Sequence, residues 1–177
     1  MKKILNTKYQ QGIVFAVIVF QIIIIVISMG QKVNFHVDEY YTYTLANSEK
    51  GMFAIEPGKI YSGDDVFLEF MAVDSDHRFN YDNVWKNQAE DVHPPFYYIF
   101  IHTICSFFPG VFTRWFGLAV NLFFFVVSAF LIFKLSLKIF NNYWKSVAVL
   151  SFWGIIVGIV NTAIFIRMYM MFSMFVL

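Results

Sequence analysis

Chemistry in this chain concentrates in three short stretches. Phe35-His36-Val37-Asp38-Glu39-Tyr40-Tyr41-Thr42-Tyr43 sets two adjacent carboxylates a few residues after a long apolar run. A carboxylate beside a low-dielectric boundary can act as a general base, and two side by side can share a divalent cation through oxygen ligands. On charge alone, the plainer reading of Asp38 and Glu39, and the one favoured, is two solvated acids in an acidic loop. The second stretch is Asp91-Val92-His93-Pro94-Pro95-Phe96-Tyr97-Tyr98. His93 stands just before a helix that Pro95 can open, and helix N-termini attract anions, phosphate in particular. Asp91 can hold the imidazole in one tautomer, or the two can bind a metal; the plainer alternative is that the prolines only end the loop. The third is Arg167-Met168-Tyr169, at the end of an apolar segment. An ionisable residue at such depth is expensive and often functional, although an arginine there can also snorkel to headgroups. His36, His77 and His102 show no metal-ligand spacing to one another. Cys105 stands alone, which excludes a disulfide framework and a thiolate cluster.

The elements that must position these residues are hydrophobic. The chain of 177 residues is 59% hydrophobic with 23 Phe, against roughly 45–50% apolar in soluble domains. The expected class is an all-α polytopic membrane protein whose large first loop carries short interfacial helices. Residues 12–30 form the first transmembrane helix, read as retained and not as a cleaved signal peptide because the apolar run is long and Ser28-Met29-Gly30 is a poor cleavage site. All 12 acids lie between Asp38 and Asp91, in an extracytoplasmic loop spanning 31–94. Helices are expected there over 38–47, 65–73 and 81–88, with turns at Glu56-Pro57-Gly58-Lys59 and Tyr61-Ser62-Gly63-Asp64. Residues 95–108 are too short for a span and read as an interfacial or shallow helix. Spans at 111–133 and 146–165 follow, with a loop at 134–145 between them and the start of a further helix at 167–177. With residues 1–11 and the lysines at 134, 138 and 145 in the cytoplasm, the positive-inside rule is met, and the acidic loop and Arg167 fall outside. Asn121 and Asn161 read as hydrogen-bonding glue between helices, and His102 as an interfacial packing residue. No basic run suggests a nucleic-acid partner.

Val37-Asp38-Glu39-Tyr40 after a first span, an outer loop closing on His93-Pro94-Pro95-Phe96-Tyr97-Tyr98, and a later Arg167-Met168-Tyr169 together resemble the start of a GT-C glycosyltransferase of the family 39 type. Protein O-mannosyltransferases and aminoarabinose transferases are of this type. The resemblance runs the length of this chain but corresponds to only the N-terminal portion of a typical family member. The chain accordingly reads as a truncated GT-C-like module, inactive by itself. The resemblance implies a polyprenyl-phosphate sugar donor in the bilayer and an acceptor hydroxyl on a glycan, lipid or protein. It implies Asp38 as the catalytic base, with Glu39 supporting it or joining it at a cation. Asp91, His93 and Arg167 would hold the lipid phosphate. Family members differ over a metal requirement. Two rivals stand beside this reading. A non-enzymatic membrane protein, such as a transporter fragment, would carry its polar residues at the bilayer midplane, where only Gln21, Asn121, Asn161 and some hydroxyls stand. A metallohydrolase would use Asp38, Glu39, Asp91 and His93.

Overall fold

The computed structural model describes residues 7–51 and 56–177, and among them every regular element is helical. The N-terminal lysines Lys2 and Lys3, on which the expected topology partly rests, lie outside the described residues. In chain order the helices are α1 (Thr7–Gly30), α2 (Val37–Asn47), α3 (Gly63–Val66), α4 (Tyr81–Ala89), α5 (Phe96–Ser106), α6 (Arg114–Phe140), α7 (Tyr143–Trp153), α8 (Val157–Ile164) and α9 (Tyr169–Val176). Two of them, α1 and α6, are long and apolar enough to cross a bilayer; α7 and α8 make a third candidate if their bent pair counts as one span. The chain divides into two compact units. One holds the residues to Val33, Asn121–Phe165 and Tyr169–Leu177; the other holds Asn34–Val120 and Ile166–Met168.

In the first unit, α6 runs well past the expected 111–133, and Lys134 and Lys138 sit on the helix, not in a loop. Straight-chain lysines lose little rotamer freedom in a helix, so nothing local stops it before Asn141, which takes a positive φ of 47°. Asn142 then caps α7, accepting a hydrogen bond from the Lys145 amide at 3.0 Å. The expected single span over 146–165 is broken instead. α7 and α8 meet at 58° across Gly154-Ile155-Ile156. Gln21 of α1 occupies the space a side chain at 154 would need: a Cβ there would lie 2.2 Å from Gln21 Cδ. Its Nε2 donates to the Leu150 carbonyl at 2.8 Å, near the end of α7. Asn121 does the same for the other half, its Nδ2 donating to the carbonyls of Ala163 at 3.1 Å and Phe165 at 2.6 Å. Asn161 is exposed, and among the described residues its side chain makes no such bridge. Ala129, Phe133, Val147 and Leu150 form a core cluster of this unit.

In the second unit, α2 packs against α4 and α5. The helix expected from residue 65 begins earlier, because Ser62 and Asp65 cap α3 reciprocally, and Ser62 therefore opens a helix where a turn was expected. It continues as a π-helical turn over Phe67–Met71. The expected turn at Glu56–Lys59 is present, with Gly58 at φ +84°. α5 is 11 residues long, about 16 Å at the helical rise and too short to span. One side of it is buried, and that side includes His102, which is 1% exposed and bonds Asn47 Oδ1 through Nδ1 at 3.2 Å. His102 is thus packed inside this unit. Tyr43 ties α2 to the start of α6. Its hydroxyl donates to the Thr113 carbonyl at 2.9 Å and accepts from the Gly117 amide at 2.8 Å, standing where the first helical turn would otherwise close on itself. Burial holds that phenol well above its ordinary pKa, so it remains a donor.

Candidate functional site

The second unit brings together residues from three of the sequence stretches, and a capped helix begins the assembly. His36 precedes α2 with extended backbone, and its Nδ1 accepts from the Asp38 amide at 3.2 Å. Glu39 reaches back from the third helical position, where its Oε2 accepts from the His36 amide at 2.7 Å. This is the reciprocal arrangement of a capping box, with a histidine in the place usually taken by Ser or Thr. The two adjacent acids therefore part company. Glu39 is 0% exposed, and its Oε1 accepts from the Ile166 amide at 2.7 Å. Asp38 keeps a side chain 36% exposed. Its Oδ2 lies 3.5 Å from His36 Nδ1, but that nitrogen is already an acceptor, so the approach is not an ion pair.

Asp91 and His93 lie just ahead of α5. Asp91 Oδ2 is 2.8 Å from His93 Nδ1, with both side chains largely buried. Burial by itself would raise the Asp91 pKa. The His93 bond and the backbone amides of Val92 and His93 outweigh it and hold the carboxyl below its ordinary value. With Nδ1–H given to Asp91, the His93 Nε2 lone pair is an acceptor, and it lies 3.3 Å from Arg167 Nη2.

Arg167 joins the pieces. It is 6% exposed, so it does not snorkel. Besides His93, it reaches the Asp38 carbonyl and the Tyr98 hydroxyl through Nη1, each at 3.4 Å. All these contacts are longer than the roughly 2.7–2.9 Å of a charge-assisted hydrogen bond. Among the described residues the buried Nε atom has no partner, and no carboxylate lies within ion-pair distance of the guanidinium. A buried cation of this kind costs several kcal/mol unless an anion meets it. The site is thus a fixed positive charge, flanked by an imidazole and a partly exposed carboxylate.

The donor set does not fit a cation shared by Asp38 and Glu39. Both Glu39 oxygens already accept backbone protons, and among the described residues no group of three or more His, Cys, Asp or Glu side chains converges. The same split removes the four-residue donor set of a metallohydrolase. Cys105 is buried, and burial pushes its thiol up to about 12, so no thiolate nucleophile stands there.

Sequence reasoning missed Tyr98 as a contact of Arg167 and missed the Ile166 amide as the partner of Glu39. Tyr98 was visible only as part of the aromatic run after the prolines. The Ile166 amide carries no sequence signal, since every residue but proline has one. No family model, curated protein or solved structure matches the chain.

Proposed function

We propose that the protein is a membrane glycosyltransferase of the GT-C kind, moving a sugar from a polyprenyl-phosphate donor to an acceptor hydroxyl at the outer face of the membrane. The observation that carries this reading is the buried Arg167 guanidinium, with no carboxylate partner among the described residues and Nε unbonded. Phosphate fits such a cation in charge and in fork geometry. Two or three helices able to cross a bilayer, and the resemblance of the Asp38, His93 and Arg167 stretches to that family, supply the rest.

In this mechanism, the Asp38 carboxylate takes the proton of the acceptor hydroxyl. The acceptor oxygen bonds to the anomeric carbon as the bond from that carbon to the phosphate oxygen breaks, inverting the centre. The electron pair leaves with the phosphate. Arg167 stabilises the charge that develops there, and His93, oriented by Asp91, holds Arg167 and the phosphate in register. Positive-inside topology would put this chemistry in the extracytoplasmic compartment, with the N-terminus in the cytoplasm.

Membranes from cells expressing the full-length gene, supplied with a labelled polyprenyl-phosphate sugar, should transfer label to an endogenous acceptor, and Asp38→Asn should lower that transfer about 100-fold or more. Undiminished transfer in Asp38→Asn would remove Asp38 as base. A second reading, a non-enzymatic transporter-like protein, is favoured by the break between α7 and α8 with Gln21 inserted in it, since broken helices often line transport sites. Substrate flux sensitive to Gln21→Leu and indifferent to Asp38→Asn would select it.

A further inference from the structure

The acid beside the candidate base does different work from the base. We propose that Glu39 is a positioning residue: its carboxylate clamps the start of α2 to the peptide that carries Arg167, and so sets where the guanidinium meets an anionic ligand. The anionic ligand rests on the phosphate reading above; the clamp does not.

Glu39 is fully buried, and its two oxygens hold two backbone amides far apart in the chain, His36 through Oε2 and Ile166 through Oε1, each at 2.7 Å. Ile166 immediately precedes Arg167, and the residue before Glu39 offers Arg167 its carbonyl. The carboxylate therefore closes a ring: Glu39 to the Ile166 amide, along the chain to Arg167, and from its guanidinium back to Asp38. The Ile166 side chain is pinned as well. It is fully buried and lies so close to Gly117 that a Cβ there would meet its Cγ2 at 2.3 Å and the Tyr43 hydroxyl at 2.9 Å. Arg167 thus rises from a stem fixed through its backbone by Glu39 and through its neighbour's side chain by Gly117 and Tyr43. Free of a tight partner itself, the guanidinium depends on that stem for its placement.

Only a side chain with two acceptor oxygens and the reach of glutamate can serve both amides. Glutamine keeps the length but turns an N–H toward one of the amide protons. Aspartate keeps the charge but is one methylene short. Both substitutions should release the stem.

The test uses the full chain in neutral-lipid nanodiscs, with farnesyl phosphate as probe and farnesol as control, in wild type, E39Q, E39D, R167K and the double variant E39Q/R167K. The Arg167 Nε–H resonance, identified by its loss in R167K, reads the position of the guanidinium without any ligand. It should shift or broaden in E39Q and E39D, while the circular-dichroism helix signal stays at wild-type level. An unmoved resonance in either variant would overturn the clamp. Farnesyl phosphate affinity should fall about tenfold in E39Q, the equivalent of one lost charge-assisted hydrogen bond. E39Q should cost less than about twofold when added to R167K, because the clamp acts through the arginine fork. A full tenfold loss in the R167K background would make Glu39 a general stabiliser and overturn the positioning role. If the wild type ignores farnesyl phosphate while the resonance moves in E39Q and E39D, the phosphate reading fails and the clamp stands.

Discussion

Gln21 and Asn121 in one unit and Arg167 in the other are all nearly inaccessible to solvent, yet they face different demands. The two amides are neutral and act on backbone. Gln21 gives the Leu150 carbonyl near the end of α7 a second donor beside the Gly154 amide, and Asn121 takes carbonyls at the end of α8, where a helix leaves its last carbonyls without an intrahelical partner. Arg167 carries a full charge and, among the described residues, finds only loose acceptors. Burial of a polar side chain is therefore not in itself a sign of function. What separates the units is the remainder: the amides are largely satisfied within the fold, whereas the guanidinium leaves a charge that the described residues do not neutralise.

Substitutions should pull this contrast apart. Arg167→Gln should have the largest effect, weakening farnesyl phosphate binding about a hundredfold or more, since losing one member of a buried charge pair costs about 2–5 kcal/mol; isothermal titration in nanodiscs reads it. Asp38→Asn should lower sugar transfer about 100-fold or more, the usual scale for a general base, while leaving farnesyl phosphate affinity within about twofold. Asn121→Leu should reverse the pattern. It strips the donor from the Ala163 and Phe165 carbonyls and should destabilise the fold by about 1–2 kcal/mol in thermal unfolding, with phosphate affinity unchanged. Gln21→Leu should cost less, within about 1 kcal/mol, because the leucine removes the buried, unpartnered Oε1 along with the lost bond. The smallest effect should come from pH. The Asp91 carboxyl is depressed in the folded state, so its contribution is fully present above the ordinary carboxylate pKa and is lost as pH falls through the lowered folded value. Thermal unfolding followed in strongly acidic buffers, from the ordinary carboxylate value downward, should show that loss in wild type and not in Asp91→Asn.

Much of the architecture was legible because it depends on period and length. The apolar run of α1, the short helix from residue 37 to 47 and the proline-opened α5 follow from local pattern. The break in the third apolar segment was not legible. Gly154 is an ordinary residue in a hydrophobic run until Gln21, far away in sequence, occupies the space beside it. The candidate site shows the same division. Asp38, Glu39, Asp91, His93 and Arg167 stand out by residue type, and their types suggested base, phosphate and metal chemistry.

The sequence by itself determined which residues could carry charge and that the chain is helical and rich in membrane-length apolar segments, since both depend on side-chain chemistry and local periodicity. Only the tertiary structure decided that the adjacent acids separate. Along α2 each residue turns about 100° from the last, so Glu39 enters the interior and meets the Ile166 amide while Asp38 stays at the surface. The long-range partner, a backbone N–H without a sequence signature, turns the second acid from a candidate ligand into a clamp. Among the described residues Arg167 Nε has no such partner, which leaves its charge unmatched there.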